Sequence, residues 1–485
     1  MKRIKWFSFV LAAIAFVGCS DDNAETPPPA TEPVAPTSPA FPSRSTEPVV
    51  LTTPKVTFTV TETSVAFSWE AVEHASGYEY RLQKASETVK EAKVDAETLQ
   101  ALVDVPKGSE IYILKVRALG TGDYTDSEWS RNTVLTPEPK PTNIEFADAV
   151  LEKYLLSMQP SIDLDGDGKI SFEEAAAVTE IDAGYEYAED ATADNTFSNL
   201  SGLEYFTSLE RLNLKYHRVS DATPIEGLAS LTSLNLGENQ ITKLDLSKLA
   251  NLTDLRLYGT GVSTLDLSKT PLLKSLYLQR TALTEIDLSP LTDLEEAYIN
   301  EAKLTKLRAV GLKGLTRLDA VKNALTTVEI GKCDELSQLH LDNNRLTAIE
   351  LKGLPKLMIL NLYANSLTAL DTSNLPFLMQ LSVFENQIAS VDFSANPALR
   401  NVYLTQNPLT KIDLSANENI MLLEAVNMSN LEEINLKNGY CDDWAEYYIV
   451  EGNPALKKVI VDPGYEFELV TTLFKNRPDV SIVTE

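Results

Sequence analysis

The sequence predicts a multidomain protein in which a β-sandwich is followed by a solenoid of short parallel strands with a helical N-terminal cap. Three observations support this prediction. Apolar residues alternate with other residues between 56 and 136, two helical patterns flank an acidic loop between 142 and 200, and leucines return every 21 residues from Leu231 onward. Because the chain has 485 residues, it is too long for a single hydrophobic core.

The composition limits the classes of partner. The chain has 70 acidic and 42 basic residues and a formal net charge of −28. Such a surface repels polyanions, which argues against nucleic acid and anionic membrane surfaces as partners. Cys333 and Cys441 are about five repeat turns apart, or roughly 24 Å at about 4.8 Å per stacked strand. This separation is too large for a disulfide, so both are predicted to be buried small residues.

The N-terminus predicts export from the cytoplasm. A basic MKRIK precedes an apolar run of twelve residues, WFSFVLAAIAFV, which is too short to span a bilayer and is typical of a signal peptide. The run ends in FVGC and is followed by SDDN, which resembles the lipobox and export tag of bacterial lipoproteins. The resemblance implies a signal peptide over 1–18, lipidation of Cys19 and display on the Gram-negative outer membrane. An ordinary cleaved signal with a chance cysteine is the alternative.

The next two segments differ in composition. Residues 19–55 are rich in Pro, Thr, Ser and Glu and have no apolar period, which predicts a disordered tether. In SVAFSWEAV, GYEYRLQ and YILKVRAL, apolar residues alternate with others as in half-buried strands. These segments, with an early inward Trp69 and a late SEWS, resemble a fibronectin type III domain. The resemblance implies a spacer over 56–136, although its loops stay open as a binding site.

An acidic loop, DLDGDGKISFEE, occurs once in the chain. Its alternate aspartates, a backbone carbonyl after Gly168 and a closing glutamate offer the hard oxygen ligands that calcium prefers. The predicted ligands are Asp163, Asp165, Asp167, Lys169 and Glu174, and Ile170 between them is predicted to face a core. The spacing resembles the EF-hand loop, which implies calcium as a cofactor. A bare acidic turn is the alternative.

The position of this loop indicates a structural role. EF-hand sensors normally carry paired loops, and this chain has one. The loop immediately precedes the repeats at 201–440, and a solenoid needs caps because its terminal turns would otherwise expose leucines. We therefore predict an EF-hand-like helical cap over 142–200, braced by a structural calcium. A C-terminal cap is predicted over 441–485.

The repeat begins with LTSLNLGENQITKLDLSKLAN and returns every 21 residues. Its leading residues are Leu231, Leu252, Leu273, Leu294, Leu315, Leu336, Leu357, Leu378, Leu399 and Ile420. The template L-x-x-L-x-L-x-x-N-x-L resembles the leucine-rich repeat, and its 21-residue form resembles internalin-like bacterial surface proteins. The resemblance implies inward leucines and parallel strands, and the residues TxLDLS are expected to return along the other side of each turn with a second inward row. The ninth position carries an asparagine whose amide can satisfy backbone groups, except at Thr260, Thr281 and Ala302.

The fifth and seventh positions of each turn are predicted to face outward. Two aromatic groups occupy them, separated by a charged region. The candidate ligand-binding residues are Tyr258, Tyr277, Tyr298, His340, Tyr363, Phe384 and Tyr403. Exposed contiguous aromatic side chains on a curved sheet favour recognition. The alternative is that these rings suit strands and stack on one another.

The sequence has no zinc-ligand spacing, phosphate loop or serine elbow, so we predict that the protein is not an enzyme. We predict a monomeric, adhesin-like binding protein that is held at the cell surface by its lipid anchor alone. The concave face of the solenoid is expected to bind a macromolecule, with protein as the first expectation. The alternative is a glycan-capturing surface lipoprotein, in which the tyrosines would stack on sugar rings.

Overall fold

A computed structural model describes residues 47–138, 141–440 and 444–485. The chain divides into two compact units, and the division falls between Lys140 and Pro141. The predicted signal peptide, Cys19, most of the tether and Cys441 lie outside the described residues. Within the described ranges, no helix has the length and apolar character needed to span a bilayer.

The first unit contains two antiparallel sheets and one short parallel pair. The strands of the three-stranded sheet are, in spatial order, Val56–Val60, Ser64–Trp69 and Gln100–Asp104. Those of the four-stranded sheet are Glu87–Asp95, Gly77–Lys84, Ile111–Leu119 and Asn132–Leu135. The parallel pair is Val49–Val50 with Tyr124–Thr125. Side chains from both sheets form one hydrophobic core, in which the rings of Phe67 and Tyr80 are 5.2 Å apart.

The SEWS segment packs on the outer side of the four-stranded sheet. The indole of Trp129 contacts the guanidinium groups of Arg81 and Arg117, which lie 4.8 and 4.7 Å from the ring centroid. Both arginines also donate to the buried carboxylate of Glu79. Cation–π contacts and charge-assisted hydrogen bonds therefore fix this segment on the sheet.

The second unit is a solenoid with one parallel strand per turn on its main sheet. Its thirteen strands are Glu180–Asp182, Arg211–Asn213, Ser233–Asn235, Asp254–Arg256, Ser275–Tyr277, Glu296–Tyr298, Arg317–Asp319, Gln338–His340, Ile359–Asn361, Gln380–Ser382, Asn401–Tyr403, Leu422–Glu424 and Glu446–Tyr448. Equivalent residues of neighbouring turns lie opposite each other, as Leu234, Leu255 and Leu276 do. The inward leucines of all turns join one continuous core.

The return side of each turn carries the second row of inward apolar residues. Two short parallel sheets form along this side of the solenoid. One sheet contains Glu285–Asp287, Lys306–Val310 and Thr327–Gly331, and the other contains Lys411–Asp413, Glu433–Asn435, Lys458–Ile460 and Ser481–Val483. Short 3-10 helices lie at Ala188–Asp190, Leu203–Tyr205, Thr223–Ile225 and Leu267–Lys269. Cys333 lies on this side and is buried, as predicted.

Helices cover both ends of the solenoid. Ala149–Leu156 and Phe172–Ala177 flank the acidic loop, and the second helix begins with a capping box between Ser171 and Glu174. Tyr465–Leu473 lies at the C-terminal end. Buried side chains of all three helices belong to the same core as the leucines of the repeat.

The main sheet extends further than the predicted range of 201–440. Its first strand, Glu180–Asp182, and its last, Glu446–Tyr448, both lie within the predicted caps. Ile181 and Tyr447 fill the inward positions of these strands and are buried. Neither strand carries the L-x-x-L-x-L signature, so periodicity could not locate them.

The ninth-position asparagines form a hydrogen-bonded ladder, as the sequence predicted. Asn344 donates to the carbonyls of Ala320, at 3.0 Å, and Leu341, at 2.9 Å, and accepts from the Leu325 N–H, at 3.0 Å. Equivalent bonds link turns at Asn239, Asn323, Asn365, Asn386 and Asn407. Thr260 donates only to the carbonyl three residues before it. The ladder satisfies backbone groups at each bend and ties neighbouring turns together.

This ladder yields a stability prediction. Asn344→Ala should lower the free energy of unfolding by about 2–4 kcal/mol, because it leaves buried carbonyls and an N–H group without partners. The control is Asn251→Ala, which removes an exposed amide that donates to Ala229 of the preceding turn at 2.9 Å. That change should cost no more than about 1 kcal/mol. Urea denaturation of both variants measures the difference, and equal losses would contradict the ladder's importance.

Candidate functional site

The outward side chains of the thirteen-stranded sheet are called the strand face here. The third, fifth and seventh positions of each turn contribute to it. Because successive strands lie about 4.8 Å apart, equivalent positions form columns along the sheet. The structure places all seven predicted ligand-binding residues on this face, and each is half-buried rather than fully exposed.

Four planar side chains form a continuous stack in the early turns. The rings of Tyr277 and Tyr298 are 5.1 Å apart and inclined by 10°. The guanidinium carbon of Arg256 lies 4.8 Å from the Tyr277 centroid, and that of Arg317 lies 5.3 Å from the Tyr298 centroid. Since Arg256 belongs to the turn before Tyr277 and Arg317 to the turn after Tyr298, the arginines cover the two outer ring faces. We call these residues the four-layer stack.

Glu296 holds the two phenols of this stack. Its carboxylate accepts hydrogen bonds from the Tyr277 hydroxyl at 2.6 Å, the Tyr298 hydroxyl at 3.2 Å and the Ser275 hydroxyl at 3.1 Å. Burial, followed by the hydrogen bond to Glu296, raises the pKa of Tyr277 to about 12. The bond from Tyr277 in turn lowers the pKa of Glu296. The carboxylate is therefore ionised and most of its hydrogen-bonding capacity is already used.

The arginines at the ends of the stack are also paired. Arg256 donates to both carboxylate oxygens of Asp254, at 2.9 and 3.0 Å, and Arg317 donates to Asp319, at 2.7 and 3.0 Å. Such charge-assisted bonds orient the guanidinium planes. These arginines were not among the predicted ligand-binding residues, and their stacking on the tyrosines was not predicted. Their recurrence at neighbouring outward positions was the available signal.

Tyr258 lies beside the stack. A Cβ atom at Gly237 would come within 2.4 Å of the Tyr258 ring, so the ring packs directly on the glycine backbone. Tyr258 and Tyr277, with Gln279, Arg280, Asn300 and Glu301, line a shallow cavity of about 400 Å³. The exposed tyrosine rings predicted for this region are thus largely engaged with their neighbours, and the stacking alternative describes Tyr277 and Tyr298 correctly.

His340 occupies the charged region between the aromatic groups. Its Nδ1 atom lies 2.8 Å from the Asn361 side-chain nitrogen. Burial lowers the pKa of His340, which keeps the ring neutral at pH 7 despite the nearby Asp319. The ring is therefore a member of the polar network and carries no charge.

The late aromatic group has a different environment. Tyr363 and Phe384 occupy the seventh position of adjacent turns, with ring centroids 4.3 Å apart and planes inclined by 8°. Tyr403 lies at the fifth position of the next turn. Stacked rings point their edges away from the sheet, so these edges form the outer surface of the late turns.

The acidic loop gathers three of its predicted calcium ligands. Carboxylate oxygens of Asp163, Asp165 and Glu174 all lie within 4.8 Å of one another. Asp167 is not in this group, and its carboxylate accepts from the Lys169 N–H at 2.7 Å and from Asn143 at 3.2 Å. Three converging carboxylates form a hard-oxygen donor set that fits calcium.

The same carboxylates stabilise the loop. Asp163 accepts from the N–H groups of Gly166 and Gly168, at 2.8 and 3.1 Å, and Glu174 accepts from that of Leu164 at 2.6 Å. Gly168 has a φ of 80°, where a glycine is favoured. The loop is bent so that its acidic groups face one point.

A segment before the first helix pairs with the end of this loop. The Ile144 N–H donates to the Ile170 carbonyl at 2.8 Å, and the Phe172 N–H donates to the Thr142 carbonyl at 3.1 Å. Ile170 is buried, as the sequence predicted. A short segment of the same chain thus forms backbone hydrogen bonds with the end of the single acidic loop. Sequence reasoning missed it because the segment is short and has no apolar period.

Comparison with family models finds no match, and comparison with curated proteins finds none. Among solved structures, the chain is similar to the functional domain of InlJ from Listeria monocytogenes, which includes a cysteine ladder. The TM-score is 0.51 with 24% identity, and the match covers 70% of this chain and 69% of that chain. The second unit is a leucine-rich-repeat solenoid. An internalin, inlF, from Listeria monocytogenes str. 4b F2365 has a TM-score of 0.43 and 19% identity, with 70% and 96% of the chains covered.

The geometry of the stack predicts an alkaline titration. The pKa of Tyr277 lies near 12, above its ordinary value of 10.0. Because Glu296 is one cause of this rise, Glu296→Gln should lower the pKa of Tyr277 part of the way. The raised pKa contributes stability that is complete below pH 10 and is lost as the pH rises towards about 12.

Ultraviolet difference titration, with Tyr277→Phe to identify the signal, measures this pKa. The matched control is Glu301→Gln in the same turn, because Glu301 pairs with Lys322 at 3.2 Å and accepts no bond from a tyrosine in the described ranges. It should leave the titration of Tyr277 unchanged. An identical response of both variants would contradict the role of Glu296.

Proposed function

We propose that the protein is a non-catalytic, adhesin-like binding protein whose concave strand face binds a protein partner. The observation that carries this proposal is the strand face itself. It is a continuous thirteen-stranded surface that presents half-buried aromatic, amide and paired charged side chains. Interfaces are enriched in such aromatic residues and arginines. The leucine-rich-repeat solenoid, similar in fold to the functional domain of InlJ, offers such a surface.

The arrangement of the rings favours protein over glycan. Sugar capture by aromatic residues needs an uncovered ring face on which the sugar can stack. In the four-layer stack, each ring face of Tyr277 and Tyr298 is covered by a neighbour. Ring edges and hydroxyl groups suit the irregular surface of a protein better.

The reactive side chains argue against catalysis. His217 is buried and stacked on Phe197, with ring centroids 3.7 Å apart, and burial lowers its pKa. The Cys333 sulfur is buried 3.4 Å from the Ala309 carbonyl, and burial raises the pKa of its thiol. A thiol with a raised pKa is a weak nucleophile. We therefore propose that the protein does not catalyse a reaction.

We further propose that the protein is displayed on the Gram-negative outer membrane through lipidated Cys19. The tether at 19–55 would hold it away from the membrane. The first unit would act as a fibronectin type III spacer, which its two antiparallel sheets and shared core support. In this account the solenoid is the part that meets a partner.

We also propose that Asp163, Asp165 and Glu174 hold a structural calcium ion in the N-terminal cap. Calcium sites of extracellular modules typically bind at about 0.1–1 mM, a range suited to a brace where calcium is constant. The paired backbone beside the loop supports this role, because it couples the loop to the core through Ile170.

The binding proposal predicts a loss of affinity when the strand face is charged. The double variant Tyr258→Arg/Tyr403→Arg should weaken capture of any protein ligand by about tenfold or more, because unpaired charges would be desolvated at the interface. The matched control, Thr264→Arg/Thr347→Arg, adds the same charge at exposed positions on the return side. It should change affinity by no more than about twofold. Arrays of proteins and of glycans provide the measurement, and ligands unaffected by the strand-face variant would refute the proposal.

The calcium proposal predicts a stabilisation that depends on the loop. At free calcium near 100 times the dissociation constant, unfolding should cost about 2.7 kcal/mol more than without calcium. Asp163→Asn/Glu174→Gln should abolish this gain, whereas Asp245→Asn on the return side should preserve it. Calorimetric melting with and without calcium tests this prediction. A calcium-dependent stabilisation that persists in the loop variant would disprove the structural role of calcium at this loop.

The anchoring proposal predicts the fate of a single cysteine variant. Cys19→Ala should release the protein from membranes, because lipid is the proposed attachment. Cys333→Ala should stay with the membrane fraction. If Cys19→Ala still fractionates with membranes after a carbonate wash, the protein is not anchored through this residue.

A further inference from the structure

The strand face changes character between turns. In the five turns that begin at Leu252 through Leu336, the outward positions include four acidic and two basic residues: Asp254, Arg256, Glu296, Arg317, Asp319 and Asp342. In the next three turns the outward positions carry no charge. These nine positions, which we call the late-turn patch, are Ile359, Asn361, Tyr363, Gln380, Ser382, Phe384, Asn401, Tyr403 and Thr405.

The charged groups of the earlier turns already have partners within the fold. Two arginines cover the tyrosine rings and bind aspartates, and Glu296 accepts three hydrogen bonds. Asp319 and Asp342 are buried. A partner that docked here would have to separate these pairs or leave them desolvated, and either would weaken binding.

The late turns also differ at the edge of the sheet. The second position is polar in the earlier turns, where Lys274 and Glu295 pair at 3.0 Å. In the late turns, the second position carries Met358, which is 41% exposed, then Met379 and Arg400, and the residue before Leu378 is Phe377, which is 58% exposed. Flexible Met side chains and exposed aromatic rings are typical of protein-binding surfaces.

We propose that the late-turn patch is the docking centre, and that it accepts an uncharged, largely apolar protein surface. This inference rests on the proposed function and adds where the partner binds and what its chemistry is. Aromatic rings at the centre, side-chain amides around them and an absence of charge match the anatomy of an interface core. In a chain with a net charge of −28, the nine patch positions themselves give a charged partner no complementary group, and the charges beside them are Glu385, Arg400 and Glu424.

The side-chain amides of the patch can form directional hydrogen bonds with a partner in addition to the apolar contacts of the rings. Asn361 bonds to His340 through its nitrogen, and its oxygen is 3.4 Å from the Gln380 nitrogen. Asn401 lies at the third position of the next turn, equivalent to Gln380. A partner can exchange hydrogen bonds with this row of side-chain amides while its apolar groups meet the rings.

The test is a differential selection from a displayed library of random peptides, each about 12 residues long and able to cross the patch at about 3.4 Å per residue. Peptides are selected for binding the purified full-length protein but not its Gln380→Glu variant. Gln380→Glu is isosteric and places one charge in the patch. Its control, Gln338→Glu, makes the same change at the same repeat position two turns earlier. Gln338 there accepts a bond from Arg317 at 2.8 Å.

Selected peptides should be uncharged and rich in aromatic and aliphatic residues. Their affinity should fall about tenfold or more for Gln380→Glu and for Phe384→Ala. It should change no more than about twofold for Gln338→Glu and for Gln279→Ala, which lies at the seventh position of an earlier turn as Phe384 does in its own. Between about 0.05 and about 0.5 M salt, affinity should vary by no more than about threefold, since no ion pair is involved. Thermal melting of each variant verifies that it is folded.

Four outcomes would overturn the inference. A library that yields no peptide specific to the wild type over Gln380→Glu would remove the late-turn patch as a docking centre. A second selection uses the wild type alone. If its peptides are lost with Gln338→Glu or Gln279→Ala but kept with Gln380→Glu, the docking centre lies in the earlier turns and the proposed function stands. Peptides indifferent to all four variants would refute the proposed function as well. A glycan whose capture depends on Gln380 would show that the partner class is wrong.

Discussion

The parallel stacking of turns in strict register is the constraint on which the second unit depends. Each turn of 21 residues returns every side chain to the same column, one strand spacing away from its equivalent. Inward columns collect leucines into a single core, and the ninth-position column links buried amides to carbonyls of the preceding turn. Because these contacts join only neighbouring turns, stability accumulates along the array and its ends need covering helices.

The same register decides which aromatic side chains are available to a partner. Rings in one column are held about one strand spacing apart, a distance at which they stack, so their faces are used within the protein and their edges face outward. Charge then separates the two groups. Arg256 and Arg317 close the stack around Tyr277 and Tyr298, whereas Tyr363 and Phe384 lie in turns without charged outward residues. The same strand spacing thus produces an early aromatic group that is satisfied within the fold and a late aromatic group that a partner can contact.

The sequence predicted the features that depend on periodicity. Leu276 and Asn344 were placed correctly because one residue type recurs at each inward column, and Ile170 because the loop template is rigid. Features that depend on individual partners were not predicted: the strand at Ile181 lacks the leucine signature, and the Arg256 stack depends on contacts between turns. The pairing of Thr142 with Phe172 joins segments with no repeated pattern. The seven outward candidates were identified together, and only contacts in three dimensions separated structural rings from available ones.

The most direct test of the register is the excision of one turn. Deleting 336–356, which is 21 residues, should bring Asn365 against the turn of Asn323 and preserve every column. Thermal unfolding followed by circular dichroism should then stay cooperative, with a Tm within about 5 °C of the parent. Deleting 336–355 should shift all later columns by one position and abolish cooperative unfolding. If the two deletions melt alike, the turns are not held by their register and the account is wrong.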